Sequence, residues 1–239
     1  MNQRFSGKLV VVTGGTGGLG RSVSMAFLAE GANVVVTYRE QREWDDLKTI
    51  VGPNVSTVLG HRIDLTDELG VDLFVQKVIA EYGHLDVLVN TVGAYAGGMK
   101  LWETDPKVFD RILTLNLRAG YTILRAVVPA MLKQERGTII NVAARAAVDH
   151  AGGAAAYAAS KAAAVAMIDS LAADLKGTGV RVNSILPSII DTEANRRAMP
   201  NADFTKWPKP EDIARVILFL CSEDARLIHG AAVPVYGDS

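Results

Sequence analysis

Tyr157 and Lys161 stand four residues apart in the run Tyr157-Ala158-Ala159-Ser160-Lys161. In a helix that spacing puts a phenol and an ammonium on one face. A phenol titrates near ~10 in water and is a poor acid or base at neutral pH. A neighbouring positive charge favours the phenolate and is expected to lower that value, so the pair could pass a proton to or from a substrate oxygen. Taken alone, the same pair is what many helix surfaces carry by chance. Other reactive residue types are sparse. His61, His84, His150 and His229 are scattered and suggest no metal site, and Cys221, at the end of the apolar run Ile217-Leu218-Phe219-Leu220-Cys221, reads as a buried small hydrophobe.

The second chemical feature is the segment Thr13-Gly14-Gly15-Thr16-Gly17-Gly18-Leu19-Gly20. Glycines there let the backbone turn tightly and approach a pyrophosphate, while the helix that follows offers unpaired N–H groups and the positive end of its dipole. A ligand-free glycine turn is the competing reading. The context decides for a dinucleotide, because the turn lies between an apolar strand and an amphipathic helix.

The elements that must position these groups alternate between strand and helix, the pattern of a parallel sheet with right-handed crossovers. Strands are expected at Lys8 to Thr13, Asn33 to Thr37, within Val55 to Ile63, and at Asp86 to Asn90, Thr138 to Val142, Val180 to Leu186 and Ala232 to Tyr236. Helices are expected at Leu19 to Glu30, Asp67 to Tyr82, Pro106 to Gln134, Ala154 to Lys176 and Glu211 to Ser222. Runs such as Val34-Val35-Val36 and Val87-Leu88-Val89 fit strands covered on both faces. The expected architecture is a doubly wound, Rossmann-like α/β sheet, one domain over residues 1–239.

With the elements in place, the chain resembles the short-chain dehydrogenase/reductase family. Gly14, Gly18 and Gly20 match its Thr-Gly-x-x-x-Gly-x-Gly turn. Asp64-Leu65-Thr66 is similar to its adenine-side aspartate, and Asn90-Thr91-Val92-Gly93 to its Asn-Asn-Ala-Gly with the two middle residues changed. Asn116, Tyr157 and Lys161 match its active-site residues, and Pro187-Ser188-Ile189-Ile190-Asp191-Thr192 its Pro-Gly-x-x-x-Thr with serine for glycine. Six short motifs in order, each on its expected element, are far more specific than any one. The resemblance implies a nicotinamide dinucleotide held by Gly14, Thr16, Gly18, Leu19, Gly20, Arg39, Asp64, Leu65, Asn90, Gly93, Pro187, Ile190 and Thr192, with Tyr157 and Lys161 at its nicotinamide end. It implies Tyr157 as proton donor, Lys161 on the nicotinamide ribose with its charge and that of the oxidised ring lowering the Tyr157 pKa, and Asn116 placing a water that links Lys161 to solvent.

The resemblance breaks at one residue. The family carries a serine thirteen residues before the tyrosine, donating a hydrogen bond to the substrate oxygen; here that position is Ala144, beside Ala143. One such donor is worth ~100- to 1000-fold in turnover. Three explanations stay open: the substrate, Thr91, Arg145 or His150 supplies the bond; the enzyme is slow; or the chain binds a dinucleotide without turnover.

At the end of the second strand, where a carboxylate would hold the ribose of NAD, stand Tyr38 and Arg39. Arginine offers a forked set of donors to a 2′-phosphate, so NADP(H) is expected over NAD(H), with Arg42 assisting; Glu40 keeps a ribose contact open. The expected function is NADP(H)-dependent hydride transfer with a small ketone, aldehyde or secondary alcohol. The alternatives are a non-catalytic dinucleotide sensor or, lower, a protein for another nucleotide such as S-adenosylmethionine. The segment Glu193 to Trp207, with Arg196, Arg197, Met199, Phe204 and Trp207, reads either as a cover for a mid-sized, acidic substrate or as a surface loop packed on its own apolar residues.

With 239 residues, 49% of them hydrophobic, and a net charge of −1, the chain can bury a large core and offers nothing to nucleic acid or an acidic membrane. No apolar run reaches membrane-spanning length and no signal segment is seen, so a cytoplasmic protein is expected. The alanine-rich face around Ala162, Ala166 and Ala173 and the family resemblance together predict a homotetramer.

Overall fold

The computed structural model describes residues 3–52 and 57–238. Seven strands form one parallel sheet: β1 Leu9–Thr13, β2 Asn33–Tyr38, β3 Val58–Arg62, β4 Val87–Asn90, β5 Gly137–Val142, β6 Val180–Pro187 and β7 Ala232–Val235. Their order is β3-β2-β1-β4-β5-β6-β7. The expected doubly wound sheet is therefore observed, with strand bounds within a residue or two of those read from the sequence. The exception is β3, where Val55 lies outside the described residues.

Side chains alternate through this sheet into two cores. Val10 and Val12 of β1 point to one, with Val23 and Phe27 of α1 (Gly18–Ala29), Leu47 of α2 (Gln41–Val51) and Ile213 and Ile217 of α8 (Pro210–Cys221). Leu9 and Val11 point to the other, with Val71 and Val75 of α3 (Glu68–Tyr82), Ile123 and Val127 of α5 (Ala119–Lys133) and Ile168 of α6 (Ala155–Asp174). Both faces are covered by helices, so β1 is buried along its whole length. Burial of that apolar area is the main stabilising term of the fold.

Three helical features differ from expectation. Helix α2 adds to the expected elements: its eleven residues are mostly polar and turn only Trp44, Leu47 and Val51 to the core. The expected single helix from Pro106 to Gln134 is α4 (Pro106–Leu113) and α5 joined by a π-helical turn, Thr114–Arg118. Short α7 (Glu193–Ala198) lies inside what read as loop, and buries none of its residues.

The topology fixes where a ligand can sit. Strand order reverses at β1, whose neighbours are β2 on one side and β4 on the other. The loops leaving β1 and β4 diverge to opposite faces there, opening a crevice beyond the carboxyl ends of the strands.

Candidate active site and dinucleotide cleft

The glycine turn leaves β1 at this crevice. Gly14 has φ of 65°, a left-handed conformation that favours glycine. Its N–H donates to Thr37 Oγ1 (3.0 Å), and Thr91 Oγ1 donates to the Thr13 carbonyl (2.6 Å), so β2 and the loop after β4 both pin the turn. At Gly20 a Cβ would lie 2.1 Å from the Gly14 carbonyl oxygen. Only glycine lets α1 start this close to the turn, with its first N–H groups facing the crevice. The cleft beyond measures 460 Å³ and is lined by Gly14, Thr16, Gly18, Leu19, Gly20, Arg39, Asp64, Leu65 and Gly93 among others. A narrow, backbone-lined cradle that a single Cβ would fill, at a helix N-terminus, fits a dinucleotide pyrophosphate.

At the far end of this cleft Arg39 is 65% exposed and lies 3.7 Å from the Asp64 carboxylate. Asp64 accepts from the Thr66 N–H (2.9 Å) and hydroxyl (2.7 Å), and those bonds, ahead of Arg39, hold its carboxyl below the usual range. Tyr38 is turned inward, its ring stacked on Trp44 with centroids 5.7 Å apart. Glu43, which no motif marks, accepts from the Thr16 hydroxyl at 2.8 Å and puts a carboxylate on the cleft wall.

The remaining predicted residues lie outside that lining set. Asn90 is buried within the sheet, accepting from Thr13 Oγ1 (2.7 Å) and donating to Asn141 (3.0 Å). Thr192 caps α7, accepting from the Asn195 N–H at 3.2 Å; a Cβ on Gly18 would come within 2.8 Å of its methyl carbon, so the loop after β6 crosses the glycine turn. Pro187 ends β6, and Ile190 packs on the core.

The π-turn presents Asn116 to the loop after β4. Its Oδ1 accepts from the Ala94 N–H (2.7 Å), and its Nδ2 donates to the Ala94 carbonyl (2.9 Å) and to Ser160 Oγ (2.9 Å). Ser160 in turn donates to the Tyr157 carbonyl (2.7 Å). Asn116 therefore clamps α6 to the segment after β4, and both its side-chain N–H groups are committed. Gly93 makes the approach possible: a Cβ there would lie 2.8 Å from Asn116 Oδ1 and 3.1 Å from Lys161 Nζ.

Lys161 is buried, and its Nζ donates to the Val142 carbonyl at 3.0 Å. Burial lowers its pKa to about 8. The Tyr157 phenol is pushed up to about 12 by burial and then by Tyr95, opposite to the lowering expected from helix spacing. The reason is geometric. Lys161 Nζ is 5.9 Å from the centre of the Tyr157 ring and turned to a carbonyl, so desolvation of the phenolate outweighs its charge.

Ala144 ends the extended segment after β5 and is 7% exposed. The three donors that the sequence offered in its place are engaged elsewhere. Thr91 gives its proton to Thr13, Arg145 pairs with Asp149 at 3.0 Å, and His150 Nδ1 faces the Ala146 carbonyl at 3.1 Å. The arginines expected to meet an acidic substrate are also paired: Arg196 with Asp191 and Arg197 with Glu193. Trp207 is buried beneath, so that segment packs on its own apolar residues.

A larger groove, 740 Å³, lies at the opposite end of the strands around Lys8, Asp86, Arg136 and Arg181. Its polar groups serve the fold. Asp86 accepts from Lys8 and the Leu9 N–H, and Arg181 donates to the carbonyls of Leu220, Ser222, Ala225 and Ile228. Among the described residues no helix is long and apolar enough to cross a membrane.

Comparison with known proteins gives a consistent result. A profile described as short chain dehydrogenase matches residues 8–203. The 3-oxoacyl-(acyl-carrier-protein) reductase FabG of Thermotoga maritima is 30% identical, with 98% of each chain covered. The meso-2,3-butanediol dehydrogenase of Serratia marcescens is 32% identical, covering 98% of this chain and 95% of its own. Among solved structures, ElxO with NADP bound superposes with a TM-score of 0.91 at 25% identity, over 96% of this chain and 97% of its own.

Proposed function

The chain belongs to the short-chain dehydrogenase family, whose members are nicotinamide-dependent oxidoreductases, and from that membership we propose that it is an NADP(H)-dependent reductase of small ketones or aldehydes, running in reverse on secondary alcohols. The observation that carries this reading is the Asn116–Ser160 clamp, which holds the α6 backbone at Tyr157 while Lys161 lies beside Gly93 at the edge of the dinucleotide cleft. A carbonyl or secondary-alcohol substrate accords with the names of the relatives, a 3-oxoacyl-(acyl-carrier-protein) reductase and a butanediol dehydrogenase.

Bound NADPH supplies the hydride for the carbonyl carbon. The chain does the rest. Gly14, Thr16, Gly18, Leu19 and Gly20 hold the pyrophosphate; Arg39 takes the 2′-phosphate; Asp64 and Leu65 flank the adenine; Asn90, Gly93, Pro187, Ile190 and Thr192 shape the nicotinamide end, Asn90 and Ile190 by fixing backbone rather than by side-chain contact. Tyr157, protonated at neutral pH, gives its proton to the substrate oxygen. Lys161 holds the ribose as an ammonium and stabilises the phenolate left behind. Asn116 holds α6 against the loop after β4 for that transfer. The test is NADPH oxidation with a panel of ketones and aldehydes, run beside cofactor titration. Binding without turnover anywhere in the panel would point to a sensor instead.

The Lys161 pKa gives this reading a pH signature. Its folded value, about 8, lies below the ordinary lysine value of 10.5, so the ammonium is present below pH ~8 and lost above it. Carbonyl reduction is expected to show a flat kcat/KM below that point and a tenfold fall per pH unit beyond it, as a single essential acid requires. A profile flat to pH ~10 would remove Lys161 from the mechanism.

We also propose a homotetramer. Ala166 and Ala173 are exposed on α6, and their small side chains allow a second helix to approach closely. Light scattering at micromolar concentration is expected to give four times the chain mass of 25.5 kDa; a monomer mass would reject the assembly.

A further inference from the structure

The loop leaving β4 carries a second phenol to the site. Tyr95 meets Tyr157 edge-on, with ring centroids 5.0 Å apart and planes at 73°. Such a contact is a preferred aromatic geometry, worth ~0.5–1.5 kcal/mol beyond burial, so the two rings hold each other in place. Tyr95 is 68% exposed, and neither phenol hydroxyl has a hydrogen-bond partner among the described residues. The Tyr95 hydroxyl lies against Gly97: a Cβ there would be 2.0 Å from it and 2.5 Å from the ring carbon that bears it. The backbone at residue 97 comes this near the phenol only because it has no side chain. Tyr95 is also the second cause, after burial, that raises the Tyr157 phenol.

A hydroxyl donor without a partner thus stands beside the proton donor, in a site where position 144 has none and where Thr91, Arg145 and His150 are engaged elsewhere. We propose that Tyr95 is a second catalytic phenol, whose hydroxyl donates a hydrogen bond to the substrate's carbonyl oxygen in place of the family's serine. The inference rests on the reductase reading given above. During reduction the carbonyl carbon receives the hydride, and the C=O π electrons move onto oxygen. The Tyr157 O–H bond breaks and its proton forms the alcohol O–H; solvent restores the Tyr157 proton. Tyr95 keeps its proton throughout and acts only on the charge that develops at oxygen, which is where a fixed donor has most effect.

The test combines four proteins: wild type, Tyr95→Phe, Ala144→Ser and the double variant. Tyr95→Phe keeps the ring contact and loses only the hydroxyl. It is expected to lower kcat on the ketone panel about a hundredfold, with little change in KM. Ala144→Ser is expected to change the wild type by less than about threefold, because the oxygen already has its donor, yet to restore most of the loss in the Tyr95→Phe background. Gly97→Ala, which keeps every hydroxyl but displaces Tyr95, is expected to lower kcat in the same direction. A readout free of turnover is the binding of cyclohexanol to the NADPH-loaded protein, a pairing that cannot react. Tyr95→Phe is expected to weaken it about threefold to tenfold, the worth of one hydrogen bond. If Tyr95→Phe matches the wild type in both readouts while Tyr157→Phe abolishes turnover, the role of Tyr95 is overturned and the reductase stands. If the wild type reduces nothing in the panel, both fall together.

Discussion

Tyr157→Phe is expected to abolish carbonyl reduction, with a loss of about a thousandfold or more in kcat, while NADPH binding stays unchanged. The size follows from what is removed. Proton transfer by a positioned group is worth about 100- to 10,000-fold, and the Tyr157 hydroxyl is the proton donor in the proposed reaction. The size also follows from what is kept. The phenylalanine ring preserves the edge contact with Tyr95, and the bond from Ser160 goes to the residue 157 backbone carbonyl, which the substitution leaves alone. The Asn116–Ser160 clamp therefore survives, and the loss cannot be ascribed to a displaced α6. A half-buried phenol with no partner among the described residues is replaced by an apolar ring of the same shape, so thermal stability is expected to hold or rise. Measurement of kcat at saturating NADPH, with cofactor affinity by calorimetry, separates chemistry from binding. Persistent reductase activity in this variant would show that another group delivers the proton.

The second large effect is expected at the opposite end of the cleft. Arg39→Asp should weaken NADPH by about a hundredfold and leave NADH within a few-fold of its wild-type affinity. Arg39 is mostly exposed, and at 3.7 Å its pairing with Asp64 is loose. An exposed pair of that kind is worth little, so the guanidinium can turn to a phosphate at small cost. Two charge-assisted bonds to that phosphate account for the expected loss. The substitution also adds a carboxylate beside Glu40, Glu43 and Asp64, all on the same cleft wall, and that repels a dianionic phosphate while remaining able to accept from ribose hydroxyls. Equal weakening of both cofactors would make Arg39 a structural residue, and tighter NADH in the wild type would reverse the proposed preference.

What was legible beforehand follows from what each signal depends on. The sheet was readable because two-sided burial writes continuous valine and leucine runs, and the glycine turn because close backbone approach leaves no other residue type. Tyr157 and Lys161 were readable as a pair because four residues is a fixed distance on a helix. Their titration was not, because it depends on burial and on where Nζ points. Helix α2 escaped because it is short and mostly polar, with only Trp44, Leu47 and Val51 turned to the core, and Glu43 on it escaped with it. Tyr95 escaped for another reason. Its partner lies sixty-two positions away in the sequence, and the constraint that fixes it is a glycine two residues on, in a loop with no pattern of its own.

The turn at Thr114–Arg118 constrains chain length as well as geometry. A π turn holds about one residue more than the regular helix around it, so everything in α4 is rotated by roughly 100° relative to α5 compared with an unbroken helix. Losing one residue here would leave an ordinary helix from Pro106 onward, with better backbone bonding and an intact apolar stripe in α5. It would also swing residue 116 off Ala94 and Ser160. The segment is thus a place where the count of residues between Pro106 and Lys133 carries functional information beside the identity of Asn116, because one lost residue would displace both the clamp and the buried Ile112 of α4.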